Sequence, residues 1–111
     1  MRPLPAVDTL KAAVGQVIAS NTTDGYPPTY FIRATLRGDA PDLLARCTAL
    51  IMKPETLDVL TDAVQRFPTL LTLEDFVARG GAAWGFGDDA IEQSAARAAH
   101  FDTIAGERRY I

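Results

Sequence analysis

The sequence predicts an all-α domain, a compact bundle of five or six short helices. Apolar residues recur at helical spacing along most of the chain. Prolines and glycines fall where helices start and stop. Only residues 29–37 alternate as a strand would, and the sequence supplies no clear partner for a lone strand.

The first helix is expected over residues 6–20, where Val7, Leu10, Val14, Val17 and Ile18 share one face. Asn21-Thr22-Thr23-Asp24-Gly25-Tyr26-Pro27-Pro28 then collects nearly every turn-forming residue type and ends it. In 29–37, Tyr30, Ile32, Ala34 and Leu36 alternate with Arg33, Thr35 and Arg37. Pro28 before the stretch and Gly38 after it favour a helix. The competing reading is a strand paired with residues 108–111 or with a second subunit.

A helix opening at Asp39 or Pro41 and running to Met52 places Leu43, Leu44, Cys47, Leu50 and Ile51 on one face. Pro54 breaks it, because the residue before a proline is pushed out of the α region, and suits the first turn of the next helix, residues 54–67. That helix buries Leu57, Leu60, Val64 and Phe67 and forms an antiparallel pair with its predecessor across a tight corner. Thr72 and Asp75 form a variant capping box for a short helix bearing Leu73, Phe76 and Val77, ending before Gly80-Gly81. A last helix over 89–105 stops at Gly106 and is rich in alanine, which lets a neighbour approach closely or forms the seam of a homodimer.

With 111 residues, 48% hydrophobic and 23% charged, the chain has the composition of a single globular domain, 1–111. The apolar stretches are shorter than a membrane span, and Met1-Arg2-Pro3-Leu4-Pro5 lacks a signal-peptide core, so a cytoplasmic protein that meets no membrane is expected. One cysteine, Cys47, forms no internal disulfide, in keeping with a reducing compartment. Residues 1–50 carry five Lys/Arg against four Asp/Glu, and residues 51–111 six against ten. The acidic second half disfavours generic binding to a phosphate backbone.

The stretch Gly85-Phe86-Gly87-Asp88-Asp89-Ala90 matches a glycine-rich phosphate loop only superficially. No strand leads into it, and two aspartates stand where phosphates would sit, so it reads as the hinge and cap of the last helix. Cys47 lies on an apolar face, which suits a buried, inert thiol. His100 is the only histidine, and Ser94 is six residues away on the same helix, roughly 9 Å along its axis, so the two form no nucleophile and base pair. No cofactor and no metal is expected.

Two aromatic loops stand out, one with Tyr26 and Tyr30 around Pro27-Pro28 and one with Trp84 and Phe86 among glycines. Glu55, Asp58 and Asp62, at i, i+3 and i+7, form one acidic stripe, with Arg66 one turn beyond Asp62. The leading expectation is a non-catalytic protein–protein interaction module, an adaptor or inhibitor. It would bind another protein with a basic surface through Tyr26, Tyr30, Trp84 and Phe86 beside Glu55, Asp58 and Asp62. A first alternative is a nucleic-acid-associated transcriptional regulator using Arg33, Arg37, Arg108 and Arg109. A second is a small-molecule-binding enzyme subunit with a pocket between helices and His100 as its titrating group.

Overall fold

The computed structural model describes residues 2–36 and 42–111. The chain is an all-α bundle of short helices. α1, Leu10–Thr23, opens at Thr9, whose hydroxyl accepts from the Ala12 amide at 3.1 Å. This cap moves the start four residues past the predicted Ala6, and the helix continues to Thr23. Val7 stays outside it yet still packs on the core.

α2, Thr29–Leu36, resolves the ambiguous segment as helix, with the Ile32 amide donating to the Pro28 carbonyl at 2.9 Å. The strand alternative is thereby corrected. Among the described residues the only bridge of strand type is a single parallel one between Arg2 and Tyr110, so the C-terminal segment pairs with the N-terminal one. The predicted helix start at Asp39 or Pro41 lies outside the described residues.

α3, Leu43–Met52, and α4, Pro54–Arg66, are separated by Lys53 alone, the corner that Pro54 predicts. α5, Leu73–Gly80, carries a complete reciprocal capping box between Thr72 and Asp75. A 3-10 turn, Gly81–Trp84, ends at Gly85, whose φ of +92° a side chain would strain. α6, Asp88–Ala105, stops at Gly106 in the same left-handed region, φ +80°. Its N-cap is Gly87, so Asp88 and Asp89 serve the first turn through the helix dipole rather than as cap residues.

α5 is the centre of the bundle, with Leu73, Glu74, Asp75, Phe76 and Val77 all buried. α6 lies along it and reaches α3 and α4, while α1 closes another side. Val14, Cys47, Ile51, Val77 and Phe86 fill one part of the core, and Ala13, Val17, Leu71, Phe76 and Tyr110 another. Ala63, Val64, Leu70 and Phe101 fill a third part, under α4 and α6.

The α5–α6 junction tolerates no side chain at Gly81. A Cβ there would lie 2.8 Å from Val77 Cγ1 and 3.3 Å from Ile91 Cγ1, and a valine on a helix has little rotamer freedom with which to yield. Gly81→Ala is expected to destabilise the domain by about 1–3 kcal/mol. Gly15→Ala, in open space on α1, should stabilise it by about 0.5–1 kcal/mol. Urea denaturation of the two variants checks the opposite signs, and equal effects would refute the packing explanation.

Candidate binding cleft

Between the α1–α2 loop and the helices α4 and α5 lies a partly open cleft of about 270 Å³. Its walls are mainly apolar, with Val17, Tyr26 and Phe31 on one side and Val59, Leu60 and Leu70 on the other. Tyr30 and Val59, 53% and 52% exposed, stand at its rim. Apolar side chains this exposed are available to a partner at no folding cost.

The cleft has a fixed frame. Asn21, 3% exposed at the end of α1, donates to the Leu71 carbonyl at 2.9 Å and accepts from the Leu71 amide at 3.1 Å. This side chain thus fastens one wall to the other through the backbone ahead of α5. Tyr26 packs on Phe67 with ring centroids 5.3 Å apart, and its amide donates to the Asn21 carbonyl at 2.8 Å.

Below the cleft, the first turn of α5 offers two adjacent buried carboxylates, and each meets an arginine from the C-terminal part of the chain. Arg97 of α6 is 2% exposed and donates from Nη1 to Glu74 at 3.3 Å and to the Thr56 hydroxyl at 2.8 Å. The same group donates to the Leu50 carbonyl at 3.3 Å, and Nη2 donates to the Lys53 carbonyl at 2.8 Å. Arg97 therefore satisfies the carbonyls of the α3–α4 corner while pairing with α5. Burial pushes the Glu74 carboxyl above its ordinary pKa, and Arg97 opposes the shift.

Arg109, 1% exposed, grips Asp75 with both terminal nitrogens, at 2.8 and 3.2 Å, and donates from Nε to Asp102 at 3.1 Å. It also donates to the Leu70 carbonyl at 2.6 Å. The neighbouring Tyr110 hydroxyl donates to the Thr69 carbonyl, and burial, with Asp75 close by, raises its pKa to about 12.

The residues singled out in the sequence are distributed unevenly around this site. Tyr26 and Tyr30 line the cleft. Glu55, Asp58 and Asp62 are all exposed on α4, the helix that supplies Val59 and Leu60 to the cleft. Trp84 and Phe86 do not line it. Phe86 is 6% exposed and belongs to the core with Val77 and Ala90, so it is corrected from a partner contact to a packing residue. Trp84 is half-buried against the same core, and its indole N–H donates to the Asp8 carbonyl at 3.1 Å. The two aromatic loops thus form no joint patch, because the second one plugs the α5–α6 junction.

Arg109, expected on a nucleic-acid surface, is a second correction, since both carboxylates and a carbonyl already occupy its guanidinium. Arg33 and Arg108 are exposed, and Arg37 lies outside the described residues. His100 is exposed on α6, within 3.3 Å of the Thr61 hydroxyl, and does not line the cleft. Cys47 is fully buried, and burial, with Glu74 nearby, pushes its thiol up to about 12, which leaves it inert.

Asn21 and Glu74 carry no local sequence signal for their roles at this site. Arg97 did carry a signal: Ala90, Ser94, Arg97 and Phe101 share one face of α6, so a charge sits within an otherwise small and apolar stripe. Among the described residues no helix is long and apolar enough to cross a membrane. Comparison of the chain with protein-family models, with curated proteins and with solved structures finds no match.

Proposed function

We propose that this chain is a non-catalytic interaction module, an adaptor or inhibitor, whose recognition site is the cleft between the α1–α2 loop and α4–α5. The observation that carries this reading is the apolar cleft itself, rimmed by exposed Tyr30 and Val59 on a frame held by Asn21. A pre-formed apolar recess beside exposed apolar side chains is what an anchor residue of a partner protein requires. At about 270 Å³ the cleft is large enough to take one or two anchor side chains. The chain's free, buried Cys47 fits a cytoplasmic setting.

The nucleic-acid alternative is weakened by the loss of Arg109 from the surface. Of the arginines that reading invokes, Arg33 and Arg108 are the exposed ones among the described residues, and two such charges offer a phosphate backbone little.

Selection of a displayed random-peptide library on the immobilised domain tests the reading. The selected peptides should share one or two large apolar residues and perturb the amide signals of residues 26–31 and 70–74. Their affinity should fall at least tenfold in Val59→Asp, a change at an exposed rim position that leaves the fold intact. Failure to select any peptide, or signals perturbed only on another face, would overturn the proposal.

A further inference from the structure

We infer that the occupant of the cleft is a basic polypeptide segment whose apolar anchor enters beside Val59 while its Lys or Arg residues run along Glu55, Asp58 and Asp62. This inference rests on the cleft being a protein-docking site and adds the chemistry of what docks there.

It follows from the geometry of α4. At about 100° per residue, Thr56 and Leu60 turn inward, Val59 stands at the boundary, and Glu55, Asp58 and Asp62 follow on the outer side. The apolar lip and the acidic stripe are therefore adjacent strips of one helix. The stripe extends roughly 10 Å along the axis, two turns of a docked helix or three residues of an extended chain. All three carboxylates are exposed and free to meet cations.

Arg66 lies one turn beyond Asp62, and exposed Lys53 precedes Glu55 at the start of α4, so the stripe is bounded by a cation at each end and its negative field centres on Asp58. On the opposite side of the cleft, α2 contains no acidic residue and carries exposed Arg33 one turn beyond Thr29 and Tyr30. The two sides differ in sign, which steers the partner's cations to the α4 side and fixes its orientation. A second copy docked two-fold through this same face would bring its own Glu55, Asp58 and Asp62 toward the stripe and meet repulsion there.

The probe is the peptide selected on the cleft, synthesised with its flanking residues as Lys, as Gln and as Glu and its apolar anchor unchanged. Fluorescence anisotropy at 20 mM salt should give about tenfold tighter binding for the Lys version than for the Gln version, and weaker binding still for the Glu version. The preference should shrink in 0.5 M salt, where exposed charges are screened beyond a few ångströms. In the triple variant Glu55→Gln, Asp58→Asn, Asp62→Asn it should vanish, while the Gln version binds as before.

Equal affinities of the three versions, or a Lys preference that survives in the triple variant, would overturn the basic occupant while leaving the docking site intact. Loss of binding by all three to the unaltered chain would instead remove the docking site. Sedimentation of the free chain as a dimer that Val59→Asp dissociates would place a second copy in the cleft and equally overturn the inference.

Discussion

Arg97→Met is expected to destabilise the domain by about 3–5 kcal/mol, the usual result of removing one partner of a buried ion pair. At about 4 °C per kcal/mol for a domain of this size, the melting temperature falls by roughly 12–20 °C. The loss arises from what remains behind. Glu74, with 5% of its side chain exposed, would lose its cation and be left either as an unpaired buried charge at high pH or as a carboxyl that must take up a proton, and both cost stability. The single Thr56 hydroxyl proton, within reach of both the Leu50 and Lys53 carbonyls, would still be shared between them, so the α3–α4 corner keeps part of its satisfaction.

Two further measurements separate the ion pair from simple packing. In Arg97→Met with Glu74→Leu both charges are gone, and most of the stability should return, since an apolar pair of similar volume often equals a buried ion pair. The second is pH dependence. The folded pKa of Glu74 is raised by desolvation, so its contribution to stability is fully present below the unfolded pKa and is lost as pH rises through the folded value. Arg97 holds that raised value down, and removing it extends the window upward. The Arg97→Met deficit should therefore be smaller at pH 5 than at pH 8. A deficit independent of pH, together with a double variant no better than the single one, would show that the charge pair is not what Arg97 supplies.

Arg109→Met should cost a similar amount, about 3–5 kcal/mol, and should loosen the chain at a different place. Its bidentate grip on Asp75 and its bond to Asp102 hold the C-terminal segment against α5 and α6. That segment in turn fastens the N-terminus, since the Arg2 amide donates to the Arg109 carbonyl and the Ile111 amide to the Arg2 carbonyl, both at 3.1 Å. Amide exchange at Arg2 and Ile111 should accelerate in Arg109→Met more than exchange in α3. Arg109→Lys should recover less than half the loss, because an ammonium cannot span the Asp75 carboxylate, Asp102 and the Leu70 carbonyl as a planar fork does. Full recovery by lysine, or unchanged exchange at the two ends, would refute this account.

Both arginines act on the same short helix. α5 has only eight residues and lies at the centre of the bundle with Glu74 and Asp75 in its first turn. Carboxylates there suit the positive end of the helix dipole, yet burying two of them without cations would be prohibitive. Arg97 and Arg109 resolve that conflict from two separate positions in the last fifteen residues of the chain. Since Glu74 and Thr56 also line the cleft, the network that stabilises the core shapes the floor of the candidate site as well.

The sequence by itself determined the helical class, because apolar spacing and the positions of Pro28, Pro54, Gly80 and Gly106 are local properties that act within one or two turns. It likewise determined the buried thiol of Cys47 and the acidic face of α4, each readable from a single helix. It located Tyr26 and Tyr30, two of the residues that line the cleft. Only the tertiary structure decided that Trp84 and Phe86 pack inward while the Tyr26–Tyr30 loop rims a cleft, because composition gives both loops the same aromatic signature. Only it could pair Arg97 with Glu74 across 23 residues and Arg109 with Asp75 across 34. A charge on a helix face has the same local pattern whether it meets water or a buried partner, and which of the two it meets is settled by packing between elements distant in sequence.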